Sequence, residues 1–187
     1  PNHTSDQHPW FIEARSSKDS TKRDWFIWAD PKSDGSPPNN WQSRFGGGSA
    51  WTLDQKTQQY YMHSFLPEQP DLNWRNQEVY SAMGAVMRFW FNLGVHGLRV
   101  DVCDRLIKDE KLRDNPVNKN WRGEGDDPAR RLTQTYSKNL PENHKINKFL
   151  RNVVEEFDDT CMIGESFLPI NLLAAYYGDK DEYHLPF

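Results

Sequence analysis

The chain of 187 residues contains two cysteines, Cys103 and Cys161, too few for a disulfide framework. Both fall in short apolar runs, so both are expected to be free thiols buried within strands, acting as small hydrophobes. No apolar stretch approaches the length of a membrane span, and Pro1-Asn2-His3 carries neither an initiator Met nor a signal peptide. No membrane role is expected, the start reads as internal, and the expected location is the cytoplasm, in a bacterium. A basic block is also missing: 23 Lys and Arg are scattered among 27 Asp and Glu, for a net charge of −4. That distribution lacks the electrostatic footprint of a nucleic-acid binder and suits a neutral partner. What the chain has in abundance is aromatic side chains, with 8 Trp, 7 Tyr and 10 Phe making up 13% of it. Many stand in polar, loop-like stretches that a simple core does not require, as on surfaces that stack sugar rings.

Residues 4–73 are rich in Ser, Asp, Asn, Gly and Pro, with turn clusters at 31–40 and Gly46-Gly47-Gly48-Ser49. They predict an irregular subdomain. Within it, Asp24-Trp25-Phe26-Ile27-Trp28 and the run from Gln59 to Phe65 have the composition of strands in a small antiparallel sheet. After Asn76 the pattern changes. Val79, Met83, Val86, Met87, Trp90 and Leu93 recur at helical spacing, with Asn76 able to cap the helix and Gly94 to end it. An apolar run from Val95 to Val102 follows, then a long charged segment from Lys108 to Leu140. A second helical face, Ile146, Phe149, Leu150, Val153 and Phe157, leads into Cys161-Met162-Ile163-Gly164-Glu165. A short helical stretch ends at Gly178, and Tyr183 to Phe187 is strand-like. This alternation predicts an α/β fold with short parallel strands covered on both faces.

Asp101 and Glu165 stand at the ends of two of these strands. Neighbouring strands lie about 4.8 Å apart, so carboxylates at matching heights would approach the roughly 5 to 5.5 Å separation of a retaining glycosidase. From spacing alone, helix caps or ion-pair partners at strand ends fit equally well. Arg99, two residues before Asp101, points to the same side of the strand and can hold that carboxylate ionised, or can simply neutralise a buried acid.

The motifs Asn2-His3 with Thr4 to Phe11, Gln69-Pro70-Asp71-Leu72-Asn73-Trp74, Gly97-Leu98-Arg99-Val100-Asp101 and Gly164-Glu165-Ser166-Phe167 occur in the order seen in the α-amylase superfamily of glycoside hydrolases. Over essentially its whole length the chain resembles that family's α-glucosidase and oligo-1,6-glucosidase branch. The resemblance implies a partial (β/α)8 TIM barrel, from the end of strand 3 (residues 1–3) through strand 6, with residues 4–73 as an inserted α+β subdomain and 74–187 as the central barrel. It implies Asp101 as nucleophile, Glu165 as general acid/base, and His3 and Arg99 as ligands of the reacting glucose. Phe45 and Phe65 match aromatic positions lining the sugar pocket, with a place in the subdomain's core as the alternative. For His3 the alternative is a capped strand end. His8 could serve as a metal ligand only if His3 joins it, and no third ligand has suitable spacing, so no metal site and no cofactor are expected.

The chain departs from the family pattern where its ends fall. The third carboxylate, an Asp after His, is not in it, nor is the aspartate usual before Asn2 or the early calcium or magnesium loop. The isolated 187 residues are expected to be inactive. Val102 and the Gln69-Pro70-Asp71 string resemble members acting on α-1,6 bonds or short oligosaccharides. Leu112-Arg113-Asp114-Asn115-Pro116 resembles bacterial α-glucosidases, in a loop that could wall off the pocket. The expected substrate is a disaccharide or small oligosaccharide with a terminal α-1,4- or α-1,6-linked glucose. The alternatives are a trehalose synthase, which isomerises maltose, and a non-catalytic α-glucosidase-like transporter heavy subunit.

Overall fold

The computed structural model describes residues 2–45, 48–123 and 130–187. Pro1, the Gly46-Gly47 pair of the turn cluster and residues 124–129 of the charged segment lie outside the described residues. Two compact units are present: His3–Asn73 with Lys108–Lys138, and Pro1–Asn2 with Trp74–Ile107 and Asn139–Phe187. This differs from the expected division at two places, since His3 groups with residues 4–73 rather than with residues 1–2, and Lys108–Lys138 groups with them rather than with the rest of 74–187. Hydrogen bonds across the sequence account for the second. Asn39 donates to Leu112 O and Trp41 Nε1 to Arg113 O, the Asn40 side chain donates to Asn115 O and accepts the Asn115 N–H, and Asp114 Oδ1 accepts the Asn40 N–H.

The first unit holds an antiparallel sheet. Its helix α1 (Pro9–Ala14) starts with proline at a position where an N–H would have no intrahelical acceptor, and His8 Nδ1 accepts the Trp10 N–H. Strands β1 (Trp28–Ala29), β2 (Trp51–Asp54) and β3 (Gln59–Met62) pair in the order β1-β3-β2. Of the strand expected over 24–28, Asp24 and Trp25 lie in a 3-10 turn (Arg23–Trp25), Phe26 forms an isolated bridge with Leu72, and Trp28 opens β1. In the turn the Trp25 and Phe26 N–H groups bond back to Lys22 and Arg23, while Trp25 O accepts the Asn73 N–H beside the bridge. Arg23 is itself buried, donating to Ala14 O and Thr57 Oγ1 beneath the Trp28 ring. Strand β2 had no sequence expectation. It brings Trp51 opposite Met62, and together with Trp41 and Ala50 these form a core.

The second unit holds a parallel sheet. Helix α2 (Gln77–Asn92) is capped by Asn76, whose Oδ1 accepts the Glu78 N–H at 2.8 Å, and the chain leaves it through Gly94 at φ +90°. Its buried residues are Val79, Met83, Gly84, Met87 and Phe91, while Val86, Trp90 and Leu93 of the expected face are exposed. Gly84 explains the rotated stripe: a Cβ there would lie 3.1 Å from Phe149, so the next helix crosses at that point. Strand β4 (Gly97–Val100), helix α3 (Asn143–Val154), strand β5 (Cys161–Gly164), helix α4 (Ile170–Leu173) and strand β6 (Leu185–Pro186) complete the unit. The sheet order is β4-β5-β6, parallel throughout.

Coverage of this sheet is one-sided within the unit. Val100, Met162 and Gly164 are buried, whereas Gly97, Arg99 and Cys161 are exposed. The expectation of two buried strand cysteines is therefore corrected. Both thiols are free, but Cys161 is exposed and Cys103 lies in the turn beyond β4, where burial pushes its pKa upward. Among the described residues no helix is long and apolar enough to cross a membrane.

Candidate active site

Strands β4 and β5 are hydrogen-bonded neighbours in a register that sets Val100 opposite Gly164. The next residue on each is a carboxylate, so Asp101 and Glu165 leave the sheet side by side. The ladder continues past both strands: Glu165 N–H donates to Val100 O and Cys103 N–H to Glu165 O, each at 2.9 Å. Asp101 opens a turn rather than ending the strand. Val102, next in that turn, is buried at φ +41°, a left-handed conformation costly for a β-branched residue. Its N–H points toward Glu165 Oε2 at 3.4 Å.

Arg99 joins the two acids. Its Nη1 lies 3.1 Å from Asp101 Oδ1 and its Nη2 2.6 Å from Glu165 Oε1. The expected partner was Asp101 alone. Burial works against the charge on Arg99, but the Glu165 hydrogen bond and the two carboxylates outweigh it and raise its pKa. The group remains open to solvent, with Arg99 48%, Asp101 38% and Glu165 19% exposed along their side chains. A ligand can therefore reach all three.

The other expected site residues gather in the antiparallel-sheet unit. His3 forms an isolated bridge with Asp71, its Nε2 lies 3.0 Å from the Gln69 amide nitrogen, and its ring sits 5.4 Å from that of Phe65. Phe45 and Phe65 also touch, with centroids 5.4 Å apart, yet they differ in exposure. Phe65 is buried and Phe45 is 56% exposed. Phe65 thus lies among the buried aromatics, and Phe45 presents an open ring face. His8 is a helix cap, and the described residues contain no group of three His, Cys, Asp or Glu that could hold a metal.

Sequence reasoning missed two sets of buried polar residues. Asp71, quoted only as part of a motif, accepts the Ser64 N–H and hydroxyl and pairs with Lys108 Nζ at 2.7 Å, both side chains being almost fully buried. Burial raises the pKa of Asp71, but Lys108 and Ser64 outweigh that and hold it below the ordinary value. In the parallel-sheet unit, Asn143 and Asn147 are wholly buried on α3. The available signal was two polar residues at i and i+4 inside an apolar stripe.

The family model described as alpha amylase, catalytic domain, matches residues 1–187. The chain belongs to the alpha-amylase family. Among its relatives, a probable alpha-glucosidase of Rhizobium meliloti is 44% identical over 191 residues, covering 98% of this chain and 34% of that protein. An oligo-1,6-glucosidase of Heyndrickxia coagulans is 41% identical over 187 residues, covering 98% and 32%. A solved alpha-glucosyl transfer enzyme superposes with a TM-score of 0.92 at 38% identity, covering 99% of this chain and 36% of that one. The chain thus spans about a third of the length of these alpha-amylase family relatives.

Proposed function

We propose that this chain is the central part of a retaining α-glucosidase, with β4, β5 and β6 as consecutive strands of a (β/α)8 barrel and residues 4–73 as its inserted subdomain. One observation carries the reading: a single guanidinium, Arg99, grips two carboxylates that leave adjacent parallel strands side by side. Polar side chains at the C-terminal ends of parallel strands are where such barrels do their chemistry. The one-sided cover of the sheet and the relatives' length support its placement within a larger barrel.

In this mechanism the Asp101 carboxylate attacks the anomeric carbon as the bond to the leaving sugar breaks, and Glu165 gives its proton to the departing oxygen. Water then attacks the glucosyl ester, Glu165 takes the water's proton, and Asp101 is released. Arg99 competes for Glu165 Oε1, so that contact must loosen when the leaving oxygen takes its place. The family motifs further assign His3 and Phe45 to substrate contact, with Phe65 supporting both rings from behind. The substrate is a short oligosaccharide or disaccharide ending in α-linked glucose.

In the full-length protein, Asp101→Asn and Glu165→Gln each lower kcat/KM on maltose and isomaltose by about 10³-fold or more. A cyclitol epoxide esterifies Asp101, read by mass spectrometry of the labelled peptide. Either variant keeping roughly a tenth of the wild-type rate overturns the assignment and favours a non-catalytic scaffold. The likeness to an alpha-glucosyl transfer enzyme favours a second reading, in which a sugar hydroxyl replaces water in the second step. Product analysis on maltose separates the readings: glucose alone means hydrolysis, and a new disaccharide such as trehalose means transfer.

A further inference from the structure

Helix α3 connects β4 to β5 in the chain, and its two buried asparagines lie one turn apart in the stripe formed by Ile146, Leu150, Val153 and Val154. A buried amide is costly unless its donors and acceptor are met. Asn143 meets the β4 side: it accepts the N–H groups of Leu106 and Ile107 at 3.1 and 3.2 Å and donates to Cys103 O, bracing the turn that follows Asp101. Asn147 meets the β5 side. Its Oδ1 accepts the Tyr183 hydroxyl at 3.0 Å, and its Nδ2 donates to Glu182 Oε2 at 3.0 Å. Glu182 is held further by His144 Nδ1, and Arg151 donates to its carbonyl.

These bonds fix the Tyr183 ring, which is 1% exposed, directly behind Gly164. A Cβ on Gly164 would stand 2.9 Å from two carbons of that ring. Gly164 is the residue before Glu165. The ring therefore limits how far this end of β5 can settle toward α3, and so sets where the Glu165 carboxylate projects.

We propose that Asn147 and Tyr183 are positioning residues for proton transfer by Glu165, acting through the packing of Tyr183 on Gly164. The inference rests on the acid/base role proposed for Glu165. Proton transfer requires heavy atoms within about 2.6 to 3.2 Å of each other, so a displacement of a few tenths of an ångström at β5 weakens it. The signature is specific. A dinitrophenolate departs with little help from an acid, whereas the sugar leaving group of maltose needs its oxygen protonated.

The test measures kcat/KM of the full-length protein on maltose and on dinitrophenyl α-glucoside. The ratio between the two substrates is independent of the folded fraction, so a merely structural role leaves it unchanged. Asn147→Ala is expected to lower the maltose value about tenfold and the dinitrophenyl value less than about threefold, with Tyr183→Phe, which keeps the ring, shifting the ratio the same way by less. Glu165→Gln shows the same signature more strongly, and Asn143→Ala lowers both values alike. An unchanged ratio in Asn147→Ala and Tyr183→Phe, or an equal shift in Asn143→Ala, overturns the inference while leaving the assignment of Glu165 intact. A wild-type protein inactive on both substrates overturns both.

Discussion

His63 in the antiparallel-sheet unit is 2% exposed, with its ring nitrogens engaged by Thr52 Oγ1 and Phe65 O, and burial holds its pKa below the ordinary value. His144 in the parallel-sheet unit keeps 31% of its side chain in water, and its bond to the Glu182 carboxylate raises its pKa. The same ring is pushed in opposite directions because desolvation wins in one place and a charged partner in the other. One set of ion pairs from each unit shows a similar contrast. Lys108 and Asp71 are closed off from water, whereas Arg99, Asp101 and Glu165 stay open to it. A closed pair is permanent structure, and an open one can exchange its partner for a ligand.

The sharpest way to break this comparison is to remove the cation from each set. Lys108→Met removes the cation from a buried carboxylate and is expected to cost about 3 to 5 kcal/mol in urea unfolding. Arg99→Met costs less than about 1 kcal/mol, because its group is half exposed, yet it should abolish most turnover. Equal stability losses would show that exposure does not separate the two sets. Next in size are the glycines. Gly164→Ala drives a methyl into the anchored Tyr183 ring and should cost about 1 to 3 kcal/mol, along with activity. Gly48→Ala meets nothing within 4 Å and should fall within about 0.5 kcal/mol of wild type by thermal melting.

The histidines give the smallest effects, with opposite signs. The folded pKa of His63 lies below its ordinary 6.5, so the unfolded chain binds more protons there, and its unit loses stability as pH falls from 6.5 through the folded value. The folded pKa of His144 lies above 6.5, so its contribution is complete below 6.5 and is lost as pH rises through the folded value. Hydrogen exchange at the amides of Met62 and of Leu150 on α3 across this range reads the two trends separately. His63→Gln and His144→Gln should each flatten one trend and leave the other.

The parallel-sheet unit was the more legible in sequence. Its helices and strands are specified by local periodicity, and the Asn76 cap, the apolar run before Asp101 and the short segment before Glu165 can all be read within a few residues of themselves. The buried face of α2 was misread because it depends on Gly84 meeting a helix distant in sequence. The antiparallel-sheet unit was legible mainly as aromatic and turn-rich. Its strand β2 is four residues long, and its loops are held by pairings such as Asn40 with Asp114, which lie 74 residues apart and leave no periodic trace. At the candidate site the residue types left the acids and Arg99 open between structural and chemical roles, and the family motifs pointed to the chemical one. The second arm of Arg99, onto Glu165, comes from the register of β4 with β5.

The antiparallel-sheet unit is stitched from two separate stretches of chain. A chimaera that takes residues 3–73 from one relative and everything after from another divides this unit rather than exchanging it. Asn39, Asn40 and Trp41 would then face foreign residues in place of Leu112, Arg113, Asp114 and Asn115. Recombination of such proteins, in the laboratory or in descent, therefore keeps these interlocked partners only with paired crossovers that carry 108–138 along with 3–73.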